Sequence, residues 1–86
     1  MKKPGPFEEA QIMAELVRHR YYVKGDQRGV QANLSFRNLS FLDLSKQNLT
    51  KIILQGTNLA GAKLSGCDLS GSDFFGADLE LSLIHI

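Results

Sequence analysis

The sequence is short of most things that a chemical function needs. It holds one cysteine, Cys67, which excludes an internal disulfide and with it a stapled secreted mini-protein. It has no tryptophan, and its two prolines both lie before Phe7. No apolar run approaches the roughly 18 to 20 residues that span a bilayer. The opening MKKPGPFEEAQ places prolines and glutamates where a signal peptide needs an apolar stretch. No sign of charge dominates. Ten Lys and Arg face nine Asp and Glu, a formal charge of +1, so electrostatics argue for neither nucleic acid nor an anionic membrane surface as a partner. The expectation is a cytoplasmic chain that touches no membrane. Its 86 residues allow one small domain.

What the chain does have is a beat of five. From Ala32 it parses without a gap as ANLSF, RNLSF, LDLSK, QNLTK, IILQG, TNLAG, AKLSG, CDLSG, SDFFG and ADLEL. The central slot holds Leu34, Leu39, Leu44, Leu49, Leu54, Leu59, Leu64, Leu69, Phe74 and Leu79. The residue before it is Asn or Asp except at Ile53 and Lys63. An α-helix advances about 500° in five residues, so these leucines would spiral around it. A flat strand would throw successive ones onto opposite faces. A chain that turns a corner once per repeat satisfies the period, with the central residue inward. Gly56, Gly61, Gly66, Gly71 and Gly76 stand two residues later, at the expected corners. Such coils stack about 4.8 Å apart through backbone hydrogen bonds.

The A-[DN]-L-x-x run, and TNLAGAKLSGCDLSGSDFFGADL above all, resembles the pentapeptide-repeat family. The resemblance implies an all-β solenoid, a right-handed quadrilateral β-helix of about 20 residues per coil. At that offset Asp43 stands beside Lys63, an opposite-charge neighbour, whereas a 15-residue coil would place it beside Asn58. The resemblance also implies a second inward column, two residues before each central slot. Here that column contains Ala32, Leu42, Ile52, Thr57, Ala62, Cys67, Ser72 and Ala77. Arg37 and Gln47 interrupt it, and Phe36, Phe41, Lys46 and Lys51 replace the corner glycines of the first coil. That coil is therefore expected to be irregular and wider, with Arg37 reaching towards solvent.

Residues 1–31 read as a tail, a capping α-helix over about 7–24 and a linker. Ala10, Met13, Leu16, Val17 and Tyr21 recur at helical spacing. Pro6 suits a helix start, Glu8 and Glu9 its positive end, and Gly25 a stop. The repeats occupy 32–80. Residues 81–86, LSLIHI, abandon the motif and match the translation of a transposase adapter, CTG-TCT-CTT-ATA-CAC-ATC. They are expected to be foreign, and the chain an N-terminal fragment of a longer protein.

No catalytic residues, cofactor or metal site are expected. His19 reads as a solvated helix residue and His85 lies in the suspect tail. Neither sits in a recognisable triad, and there is no phosphate-binding loop. Cys67 falls in a small inward slot, where a free thiol packs as a hydrophobe. Asp68, Asp73 and Asp78 follow G-x-D spacing, but on different sides of a coil, where they read as solvated. Asn58 likewise reads as outward, so Asn58→Ser is expected to be nearly silent. The function expected is a non-enzymatic structural or protein–protein interaction module with an unidentified protein partner, and no direct nucleic-acid contact. A homodimer is expected only if a C-terminal element supplies it. Two alternatives stand beside it: a DNA-mimic binder of DNA gyrase, as in some members of that family, or a regulatory domain fused to a catalytic or membrane domain. The repeats' net charge of −1, from four basic and five acidic residues, is thin for mimicry.

Overall fold

In the computed structural model, residues 3–83 are described. Among them is one helix, α1, spanning Pro6–Val23. Gly5 precedes it in extended conformation, Pro6 opens it, and Glu8 and Glu9 occupy its first turn. It ends in a Schellman closure. Gly25 takes φ +79°, its N–H bonds the Tyr22 carbonyl at 3.0 Å, and the Asp26 N–H bonds the Tyr21 carbonyl at 2.9 Å.

The linker then folds back along α1 instead of leaving it. Asp26 accepts both the Arg28 backbone amide and its guanidinium, and the Arg28 guanidinium carbon lies 4.2 Å from the centre of the Tyr21 ring. Gly29 lies against the backbone of Tyr21 and Tyr22, where a Cβ would collide. The Val30 amide bonds the Arg18 carbonyl at 3.1 Å.

From Asn33 the backbone makes parallel bridges with itself at a constant offset of 20 residues. Asn33 pairs with Ile53, Asn38 with Asn58, Asp43 with Lys63, Asn48 with Asp68, Ile53 with Asp73, Asn58 with Asp78, and Lys63 with Leu83. Each bridge is isolated, and none extends into a longer strand among the described residues. The first circuit is therefore Ala32–Lys51, the second Ile52–Gly71, and a third begins at Ser72. The register passes Glu80 and reaches Leu83. Ile84, His85 and Ile86, the last half of the suspected tail, lie outside the described residues, as do Met1 and Lys2.

One corner device recurs throughout. The carbonyl of each central residue accepts the amide three positions on, as in Arg37 N–H to Leu34 at 3.1 Å and Ala62 N–H to Leu59 at 3.0 Å. The residue in between has positive φ, the mark of a type II turn. Glycine occupies it from Gly56 to Gly76, at φ +62° to +73°. In the first circuit Phe36, Phe41, Lys46 and Lys51 adopt φ of 61–63° instead. The irregular first coil expected from these residues is not found, since its register and corner geometry match the circuit below. The left-handed conformation costs an L-residue about 1–2 kcal/mol, and the stacking bonds on either side hold it there.

Candidate functional site

Of the ten central side chains, Leu34, Leu39, Leu44, Leu49, Leu54, Leu59 and Leu64 are buried. Leu69, Phe74 and Leu79 are half-buried against them. In the second column Ala32, Leu42, Ile52, Thr57 and Ala62 are buried, while Cys67, Ser72 and Ala77 are half-buried. The column's polar members turn to backbone. The Thr57 hydroxyl donates to the Leu34 carbonyl at 2.7 Å, and Cys67 Sγ lies 2.8 Å from the Leu44 carbonyl. Desolvation pushes the Cys67 thiol up, away from the thiolate that nucleophilic chemistry uses.

The upper end of the core is closed by α1, through a different face from the one its spacing indicates. Ile12, Leu16 and His19 are the buried residues of the helix, with Met13 partly buried beside them. Ala10 and Val17 are exposed. His19, read from sequence as solvated, is wholly buried. Its Nε2 lies 2.8 Å from the Thr50 carbonyl, and its Nδ1 lies 3.0 Å from the Ala32 amide nitrogen. A carbonyl accepts and an amide donates, so the ring proton belongs on Nε2. The imidazole thus ties α1 to both ends of the first circuit, satisfying an amide and a carbonyl that have no circuit above them. Only the fold brings Ala32 and Thr50 to this residue, so spacing carried no signal for it. Gln31 repeats the device at the rim, donating to the Lys51 carbonyl at 2.8 Å. Arg37, expected to reach towards solvent, keeps 36% of its side chain exposed. It crosses to α1 and pairs with Glu15 at 3.1 Å.

The Asn and Asp residues before each central slot, among them Asp68, Asp73 and Asp78, which read from sequence as solvated, also share a structural task. In all eight such pentads the side-chain oxygen accepts the amide two residues on at 3.0–3.1 Å, from Asn33 with Ser35 to Asp78 with Glu80. This is an Asx turn built once per repeat. Hydrogen bonds from Ser45 hold Asp43 below the usual carboxylate range, aided by Lys63. Ser70 does the same for Asp68, and the Gln55 amide and Phe75 N–H for Asp73. The G-x-D carboxylates thus cap backbone. Among the described residues no group of three or more His, Cys, Asp or Glu is placed to hold a metal ion. No helix among them is long and apolar enough to cross a membrane.

The outward surface carries large apolar side chains at fixed corners. Phe36 and Phe75 are each 82% exposed and Phe41 is 50% exposed. The rings of Phe36 and Phe41 lie over Gly56 and Gly61 of the circuit below, in the space that a Cβ there would need. Lys46 and Lys51 place their Cγ atoms over Gly66 and Gly71 less closely, 3.3 and 3.4 Å from where a Cβ would stand.

A family model described as pentapeptide repeats (8 copies) matches residues 52–80. That stretch of the chain is made of pentapeptide repeats, the family its five-residue beat resembles. Such repeats imply a β-helix-type fold and a repeat module without catalysis. No curated protein and no solved structure matches the chain.

Proposed function

We propose that the chain is a right-handed, four-sided β-helix capped by α1, serving in the cytoplasm as a non-enzymatic scaffold for protein–protein contact. The constant 20-residue bridge offset, four pentads per circuit, supports four sides. One observation carries the functional half. The Asn and Asp side chains of the repeats are bound to neighbouring backbone amides, while apolar rings stand outward at set corners. Side chains so engaged do not converge on a substrate, whereas a repeated rigid frame holds surface groups at fixed spacing for a partner. The acidic stretch Asp68, Asp73, Asp78 and Glu80 gives a mimic of DNA too little charge, because Arg37, Lys46, Lys51 and Lys63 leave the repeats at a net charge of only −1.

The test is affinity capture from the source cell with wild type and with Phe36→Ser/Phe75→Ser, both of which should keep the wild-type circular dichroism. The scaffold reading expects a defined partner held by wild type and lost by the double variant. Absence of any partner on wild type contradicts it. So does inhibition of gyrase supercoiling by the purified protein, which would favour mimicry instead.

A further inference from the structure

His19 is wholly buried between α1 and the first circuit, and its two ring nitrogens meet backbone groups of opposite kind. Nδ1 receives the Ala32 amide at 3.0 Å, and Nε2 gives its hydrogen to the Thr50 carbonyl at 2.8 Å. The neutral ring satisfies both. A protonated ring donates from both nitrogens, which would set an Nδ1–H against the Ala32 N–H with no acceptor between them. No counter-charge meets the ring, since none of the ion pairs among the described residues includes it. On α1, Glu15 stands one turn back and is held by Arg37 of the first circuit. Arg18 and Arg20 flank His19 in sequence, and Tyr22 stands one turn on with its ring centre 5.6 Å away. On the first circuit, Thr50 is followed by Lys51, a further positive charge. In the circuit below, Asp68 is engaged by Ser70 and Thr50. A cationic imidazole thus lacks both an acceptor and an ionic partner in the closed cap, where burial makes that costly.

We propose that His19 is a pH-operated latch: the α1 cap closes on the neutral imidazole and opens with the uptake of one proton. Opening frees the Ala32 amide, the Thr50 carbonyl and the apolar end of the core that Ile12 and Leu16 cover. An imidazole in an opened chain takes up its proton near pH 6.5. Closure is therefore fully favoured above that pH and weakens as pH falls below it. The carboxylates of Asp43, Asp68 and Asp73 are held below their usual range, so their titration lies under the window of about pH 5 to 7.5 in which the latch acts. The latch is independent of the outward rings of the repeats and of any partner they hold.

Hydrogen exchange of the Ala32 amide in the full chain tests it, followed by NMR from about pH 7.5 to 5 and corrected for the intrinsic rate at each pH. Protection should hold near pH 7.5 and then fall, approaching about tenfold per pH unit below about pH 6, the slope of one proton. The ring-nitrogen shifts of His19 should place the hydrogen on Nε2 at the upper end of that range. His19→Gln should remove the slope, while replacing the chain's other histidine, His85→Gln, should leave it. The wild-type slope and the ring shifts need no variant to fold. Protection that stays flat across the range overturns the proposal, as does a ring that takes up its proton while Ala32 remains protected. Hydrogen on Nδ1 at the upper end overturns it too, and so does a slope that survives His19→Gln.

Discussion

The first and second circuits trace one path with different residues at the corners. In Ile52–Gly71 the corners are Gly56, Gly61, Gly66 and Gly71, and in Ala32–Lys51 they are Phe36, Phe41, Lys46 and Lys51. Both sets take φ between +61° and +73°, so glycine does not create the corner. The inward central residue and the turn bond that follows it do, joined by an Asx cap at every corner of the two circuits but Gly56 and Gly66, whose pentads carry Ile53 and Lys63. Gly56 and Gly61 serve a second need as well, since each lies beneath a phenylalanine ring of the circuit above that a Cβ would strike. Large above and glycine below is one packing unit, and it needs a first circuit with nothing stacked over its own corners. The family match begins at Ile52, where the glycine corners begin, while the 20-residue register begins a full circuit earlier at Asn33.

The comparison breaks most severely if the central ladder fails. Leu59 is wholly buried, and Leu59→Asp sets a carboxylate among leucines. The loss should be at least about 4 kcal/mol, enough to abolish the folded baseline in urea titration. Removing the cap comes next. His19→Ala leaves the Ala32 amide and Thr50 carbonyl without their bridge and opens a void over the first circuit. About 2–4 kcal/mol should be lost, with the mid-point for α1 falling together with that of the repeats.

Corner substitutions probe the comparison itself. Gly56→Ala should cost about 1–2 kcal/mol for its left-handed φ, and more while the Phe36 ring lies over it. A Cβ at Gly56 would stand 2.5 Å from that ring, so Phe36→Gly should recover the excess in a double-mutant cycle. Lys46→Ala should be nearly neutral, because both are L-residues at the same φ. Lys46→Gly should gain about 0.5–1 kcal/mol, relief of φ exceeding the added chain entropy. If Lys46→Gly destabilises instead, the corner is not the strained position described above.

The smallest effects concern the Asx caps. Asn58→Ser was expected to be silent, but Asn58 accepts the Ala60 amide at 3.1 Å and approaches Asn38, so about 0.5–1.5 kcal/mol should be lost. Asp43, Asp68 and Asp73 have depressed folded-state values. Their contribution is present at neutral pH and fades as pH falls through and below the ordinary carboxylate range near 4. Replacing all three by Asn keeps the cap geometry. Thermal stability at pH 7 should then hold while the fall towards pH 3 becomes shallower.

The period was legible because one inward residue per repeat must be apolar wherever it falls, and ten successive slots leave no competing reading. The 20-residue register was legible in outline from Asp43 and Lys63, which the structure bridges. The cap was legible as a capping helix over about 7–24, and the helix is found at Pro6–Val23. The expected stripe mixed two faces, since Leu16 and Met13 meet the repeats while Ala10 and Val17 do not. His19 was missed because a polar residue scores against burial unless its partners are known, and they lie 13 and 31 positions away. The Asn and Asp preference was visible, but its cause was not. An Asx turn is a local hydrogen bond that the residue type permits without requiring.

The register is the claim on which the rest depends, and through-bond NMR couplings across hydrogen bonds test it directly. The Leu44 amide should correlate with the Lys63 carbonyl, Leu49 with Asp68 and Leu54 with Asp73, bonds that each measure 2.8 Å. Correlations at that 19-residue separation would establish a 20-residue circuit. Correlations from Leu44 to Asn58 instead would contradict it and leave a 15-residue, three-sided coil.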